Sequence, residues 1–316
     1  MIRSIAVPLD GSSLAGSALP FAISIARRLG VRTLETMTVY TPTGDPLRAS
    51  GAPVRDTRFD HELLASVRAF AADLERRFSE LAPDLAIKAT VLEGPVADTL
   101  AEHLARGEHD LVVMTTHGHS GISRLWLGSV ADRLVRHSPI PVLLLKDLSA
   151  TVPGEGAPLF SDVLVPVDVN EESEEILSDA IALAGADATY HLLHVVVPPR
   201  RVPPPPAYDV VTASQLARGF PPDPHSANRD AAEQHVEALA ESLRSRGLRV
   251  STRVEIHQNP AEVILASAAD SNVGLIAMAS RGRGAARRLL LGGVTDKVVR
   301  GATVPVLVRV PSATRP

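Results

Sequence analysis

Cysteine is absent from the 316 residues, and with it go disulfide staples, thiol nucleophiles and Cys-based zinc sites. Aromatics are scarce, with one Trp, three Tyr and six Phe. Neither sign of charge dominates: 32 Lys and Arg stand against 36 Asp and Glu, a net charge of −4 without a basic tail. Such a chain has little to attract it to nucleic acid or a membrane surface. No uncharged apolar stretch approaches the length of a membrane span, and the first apolar run is too short for a signal peptide. A soluble cytoplasmic protein is expected. What the chain does have is 45% hydrophobic content, enough over this length for two cores of ordinary domain size.

Two domains are also what the internal pattern predicts, because the chain reads as one unit written twice. Ile5-Ala-Val-Pro-Leu-Asp10 returns as Val163-Leu-Val-Pro-Val-Asp168. The apolar run Leu111-Val-Val and the stretch Met114 to Val130 return as Val273 to Ala277 and Met278 to Val294. In the first half, apolar runs with β-branched residues predict strands near Ile2–Val7, Thr33–Tyr40, Leu85–Leu92, Asp110–Thr115 and Pro139–Leu145. Helical spacing of Leu14, Ala18, Phe21, Ala22, Ile25, Ala26 and Leu29 predicts a helix that Gly30 stops. Phe59, Leu63, Val67, Phe70, Leu74, Phe78 and Leu81 predict a second, with one buried stripe. Further helices are expected from Gly94-Pro95 to Arg106 and from Ser129 to His137. The organisation is therefore residues 1–147 as one domain, 148–160 as a small-residue linker and 161–316 as a second domain. Val197 to His225, proline-rich, is expected to be an extended crossover.

Strands alternating with helices give a parallel, doubly wound sheet in each half, and such sheets bind ligands beyond the carboxyl ends of their strands. Pro8 and Asp10, the residues around Val39, and the loop from Thr115 through Gly118 to Gly128, Ser129 and Val130 all fall there. So do Pro166, Asp168, Val195, Ala279, Gly282, Gly292, Gly293 and Val294 in the second half. A glycine loop between a strand and a helix can cradle phosphate, since N–H groups without a neighbouring Cβ approach an anion closely and the helix N-terminus adds free donors. The bland readings are that Ser129 only caps a helix and that Asp10 and Asp168 only fix their own turns; recurrence of the whole pattern favours ligand roles.

On these residues the chain resembles the universal stress protein family in its tandem form. The family pattern, Gly-x2-Gly-x9-Gly followed by Ser or Thr after an apolar strand, is met by Gly118, Gly128 and Ser129, with Thr115 in place of the first glycine. The second copy has Ala279, Gly282, Gly292 and Gly293, departing at the first glycine and at the hydroxyl. The resemblance implies two tandem α/β domains with five-stranded parallel sheets of order 3-2-1-4-5. It also implies an adenine nucleotide, ATP with Mg2+, as ligand. Asp10 and Asp168 would lie near the nucleoside, Val39 and Val195 against the adenine, and the glycine-loop residues at the phosphates. It further implies pairing through the fifth strands, with Val142 to Leu145 and Val306 to Val308 as candidates, either between the halves or between chains in a dimer.

Three functions stay open at this point. The chain is a regulatory ATP-binding stress-response protein with slow or no hydrolysis and an unidentified protein partner, a nucleotide-free interaction scaffold, or a nucleotide hydrolase or nucleotidyl transferase. Against the last, no Gly-x4-Gly-Lys-Ser/Thr is present. His61-Glu-Leu-Leu-Ala65 lacks a second zinc-protease histidine, and Gly118-His-Ser-Gly121 falls one residue short of a nucleophile elbow. No catalytic residues and no metal ligands are predicted. His117 and His119 read as loop residues, since the second copy has no equivalent pair.

Overall fold

The computed structural model describes residues 2–42, 57–116, 127–146, 159–168, 172–198, 224–271, 273–280 and 293–310. Gly118, Gly282 and Gly292, together with His117, His119, Trp126 and most of the expected linker and crossover, lie outside the described residues.

The first repeat runs β1 (Ser4–Pro8), α1 (Ser13–Gly16), α2 (Ala18–Leu29), β2 (Thr33–Tyr40), α3 (Thr57–Leu81), β3 (Ala86–Glu93), α4 (Val96–Leu104), β4 (Leu111–Thr115), α5 (Ser129–His137) and β5 (Val142–Leu145). The second runs β6 (Asp162–Pro166), α6 (Glu172–Ala184), β7 (Thr189–Val196), α7 (Pro224–Arg244), β8 (Arg249–Ile256), α8 (Pro260–Asp270), β9 (Leu275–Ala279), α9 (Gly293–Gly301) and β10 (Val306–Arg309). Gly30 ends α2 in the left-handed region at φ 66°, a conformation open to glycine without Cβ cost. Every residue of β4 is buried, as expected of a central parallel strand covered by helices on both faces.

Within each repeat the strands are parallel and ordered 3-2-1-4-5, and the two sets join into one ten-stranded sheet. The junction is the one antiparallel pairing among the described strands: Leu144 faces Val306, Leu143 faces Leu307 and Val142 faces Val308. Of the two pairings the sequence left open, the fifth strands here meet between the halves of one chain. Opposite strand directions are what two like units related by a two-fold axis must present at a shared edge. The prolines that precede β5 do not interrupt it, and the Pro141 carbonyl still accepts the Val112 N–H at 3.0 Å.

Each face of the sheet carries one continuous apolar layer spanning both repeats. On the face of α2 and α6, Phe21 and Phe160 meet with ring centroids 6.1 Å apart. Leu159 and Phe160, the last two residues of the expected linker, are buried there. The apolar stripe on α3 is only partly covered: Leu74 and Phe78 pack on the core, whereas Phe59, Leu63, Phe70 and Leu81 are exposed. Its periodicity is real, but a 25-residue helix is about 37 Å long against about 27 Å for an eight-residue strand, so the ends that carry Phe59, Leu63 and Leu81 reach beyond the strands.

Lys146 closes the junction by donating from Nζ to the Arg300 carbonyl. Burial and the nearby Arg300 charge lower its pKa from 10.5 to about 8. The unfolded chain therefore binds the extra proton between these values, and this group adds stability as pH rises from about 8 towards 10.5. Urea denaturation at pH 8 and pH 10 should show wild type gaining stability relative to Lys146→Met; parallel curves would refute the assignment.

Candidate functional site

At the carboxyl ends of β1, β2 and β4 lies a cavity of about 400 Å³, within the range of small-molecule sites. It sits where the strand order reverses around β1, the position at which open α/β sheets bind ligands. Of the eight first-half residues singled out from sequence, seven line it: Pro8, Asp10, Val39, Thr115, Gly128, Ser129 and Val130. The eighth, Gly118, belongs to the undescribed loop.

Local chemistry explains how these residues are brought together. The Leu9 N–H bonds the Met37 carbonyl at 2.8 Å, prolonging the β1–β2 pairing one step before the chain turns. Asp10 Oδ1 then accepts the Ser12 N–H at 2.9 Å, so the aspartate does fix its own turn while still lining the cavity. Gly11 follows at φ 80°, and a Cβ there would be strained whatever space surrounds it. On the other side, the Thr116 N–H bonds Leu145 O at 3.0 Å, and the Gly128 N–H returns to Thr116 O at 2.8 Å. This second bond pins the end of the loop against the end of β4.

Gly128, not Ser129, is the N-cap of α5, with φ −59° and ψ 148°. Its carbonyl accepts the Asp132 N–H at 2.8 Å. Ser129 is the first helical residue and is exposed, so its hydroxyl is not spent on capping the helix. The first-turn N–H groups of α5 have no intrahelical acceptors, and the helix dipole places partial positive charge there. The cavity is thus two-sided: Met37, Val39, Val67, Val96 and Leu100 form apolar walls, and Thr115, Thr116, Gly128 and Ser129 a polar one. Asp10 is the sole charged residue among the described lining.

In the second repeat, Pro166, Asp168, Val195, Ala279, Gly293 and Val294 occupy the same strand ends and helix start. Gly282 and Gly292 lie outside the described residues. The Val167 N–H bonds Leu193 O at 2.9 Å and the Ser280 N–H bonds Arg309 O at 2.8 Å, matching the first repeat. The interior differs. Where the first repeat has Thr38, the second has His194, buried, with Nδ1 2.8 Å from the Val167 carbonyl. Where the first has Ala131, the second has the larger Thr295, also buried. Gly293 supplies no hydroxyl at the position of Ser129.

Of the apolar walls, only Val39 was foreseen, and through the family resemblance. Met37, Val67, Val96 and Leu100 read as ordinary core residues, and only the polar wall carried a motif.

The description "universal stress protein family" fits a family model that matches twice, over residues 1–146 and 160–311. A universal stress protein of Methanocaldococcus jannaschii is 28% identical over 149 residues, covering 46% of this chain and 83% of that protein. One from Mycobacterium bovis is 29% identical over 229 residues, covering 71% of this chain and 69% of that protein. In structure, a universal stress protein from Archaeoglobus fulgidus superposes with a TM-score of 0.68 at 20% identity, covering 99% of this chain and 97% of that one. No helix among the described residues is long and apolar enough to cross a membrane. With both repeats matched and the two-repeat fold shared along nearly its whole length, the chain belongs to the universal stress protein family as a tandem-domain member.

Proposed function

We propose that the first repeat binds an adenine nucleotide, ATP with Mg2+, and that occupancy regulates the affinity of this stress-response protein for a protein partner in the cytoplasm. The observation that supports this reading best is the convergence of Pro8, Asp10, Val39, Thr115, Gly128, Ser129 and Val130 on one cavity. A planar base fits the apolar side between Val39 and Leu100. The phosphates fit against the polar side, where N–H groups at the start of α5 and the Ser129 hydroxyl donate. A bound Mg2+ would supply countercharge to the phosphates, with Asp10, the charged residue among the described lining, able to face it.

For the second repeat, the buried His194 and Thr295 and the missing hydroxyl at Gly293 favour a packing and partner-docking role over nucleotide binding.

Freshly purified protein, denatured and examined by mass spectrometry, should release ATP, ADP or AMP. A ligand at 100 times its Kd stabilises the native state by about 2.7 kcal/mol, so millimolar Mg-ATP should raise Tm by several degrees. The absence of both released nucleotide and a thermal shift would overturn the reading, and phosphate release well above a boiled control would favour an enzyme instead. Ser129→Ala should weaken binding roughly tenfold, the loss of one hydrogen bond to a charged group. Because Ser129 is not the N-cap, its Tm should stay within about 1–2 °C of wild type.

A further inference from the structure

At the opposite end of the same strand lies a cluster that the nucleotide reading does not use. Glu35 on β2, His103 on α4 and His109 just before β4 are all buried, and each offers a ligand atom within 4.8 Å of the others. His109 Nε2 lies 2.8 Å from Glu35 Oε2, and His103 Nε2 lies 3.4 Å from Glu35 Oε1. We propose that Glu35, His103 and His109 form a buried binding site for a divalent transition-metal cation of the Zn2+ class, separate from the nucleotide cavity.

The His109–Glu35 contact alone has an ordinary explanation, a buried pair tying the entry of β4 to β2. His103 does not share it. Neither of its ring nitrogens has a hydrogen-bond partner, nor does Nδ1 of His109. Leaving such atoms buried and unpaired costs about 1–3 kcal/mol each, whereas an apolar side chain of similar size at position 103 would cost nothing of the kind. A metal ion satisfies a ligating nitrogen outright.

The spacing also suits a metal. Ligand atoms 2.0–2.1 Å from a tetrahedral Zn2+ sit about 3.3 Å from one another, close to the 3.4 Å between His103 and Glu35, and the 2.8 Å His109–Glu35 contact would lengthen to that spacing on metal binding. The Thr90 hydroxyl donates to Glu35 Oε1, and Lys88 faces the same carboxylate. Two imidazoles with one carboxylate select Zn2+, Co2+ or Ni2+ over Mg2+ and Ca2+, which prefer all-oxygen shells. Three protein ligands leave a fourth position for water. Lys88, mostly exposed, has Nζ 3.6 Å from Glu35 Oε1, so the cluster lies one movable side chain from solvent.

The fold does not itself require these residues. The second repeat holds β7 and β9 in the same registers against β6 yet has His191, Ser267 and Val273 at the corresponding positions. There His191 is fully engaged, with Asp162 at 2.9 Å and Ser251 at 2.7 Å. The triad belongs to the first repeat alone.

Full-length protein stripped with EDTA should take up one equivalent of Co2+ with a visible tetrahedral absorption band. One equivalent of Zn2+ should displace it, and millimolar Mg2+ should not. His103→Phe and Glu35→Gln should lose the band and bind Zn2+ roughly 100-fold more weakly, with unchanged circular dichroism. Metal-free His103→Phe should melt no lower than metal-free wild type, since it removes two unpaired nitrogens. Absence of Co2+ uptake by wild type, or the same band in both variants, would overturn the proposal; the second outcome would assign the metal to other histidines.

Discussion

Gly128→Asp is expected to leave the fold intact while weakening Mg-ATP binding roughly 100-fold. Gly128 has φ −59° and ψ 148°, a conformation any residue adopts, so no backbone strain accompanies the substitution. It is also the N-cap of α5, where Asp outranks Gly by a few tenths of a kcal/mol and its charge complements the helix dipole. The same carboxylate would take the first-turn N–H groups and put negative charge where the phosphates are proposed to lie. Loss of one or two charged hydrogen bonds and the added repulsion give the expected factor. Opposite signs for stability and affinity separate this outcome from simple misfolding. Unchanged affinity would refute the placement of phosphates at α5, and a loss of affinity accompanied by a lower Tm would implicate the fold instead.

Leu143→Ala should destabilise the whole chain, not one repeat, by about 2–5 kcal/mol, the range for emptying a fully buried leucine site. Leu143 has no exposed surface and faces Leu307 across the antiparallel junction. Because the sheet and both apolar layers run through the two repeats, urea should produce one cooperative transition whose midpoint falls without a change in slope. Amide protection should drop in β6, β7 and β9 as well as in β1, β2 and β4. Two separate transitions, with only the first moved, would show that the junction does not couple the repeats.

The repeat and the α/β order were legible in the sequence because each rests on local signals. The predicted spans Thr33–Tyr40 and Ser129–His137 coincide with β2 and α5, since a β-branched run and a glycine-bounded helical pattern mark their own ends. The polar half of the cavity was legible for a similar reason: Asp10, Thr115, Gly128 and Ser129 fall at strand and helix ends, where a topological rule says what converges. Its apolar half was legible only at Val39, because Met37 and Leu100 have the pattern of core residues and only the assembled fold shows that they face a cavity. Periodicity found the stripe on α3 but could not show that the sheet beneath it ends short of Phe59 and Leu63. Glu35, His103 and His109 escaped for a stronger reason. Glu35 lies far in sequence from His103 and His109, and only the fold brings the three together, whereas His117 and His119, two residues apart, drew attention instead. Nothing local marks Ser129 as a non-capping serine either; that follows from the bond between Gly128 O and the Asp132 N–H.

The central claim is that the two repeats share one fold but that only the first is a nucleotide site. Isothermal titration of nucleotide-stripped, full-length protein with Mg-ATP tests it most directly. One equivalent bound per chain in wild type and none detectable in Gly128→Asp is the expected result. Two equivalents per chain, or one equivalent that persists in Gly128→Asp, would contradict it.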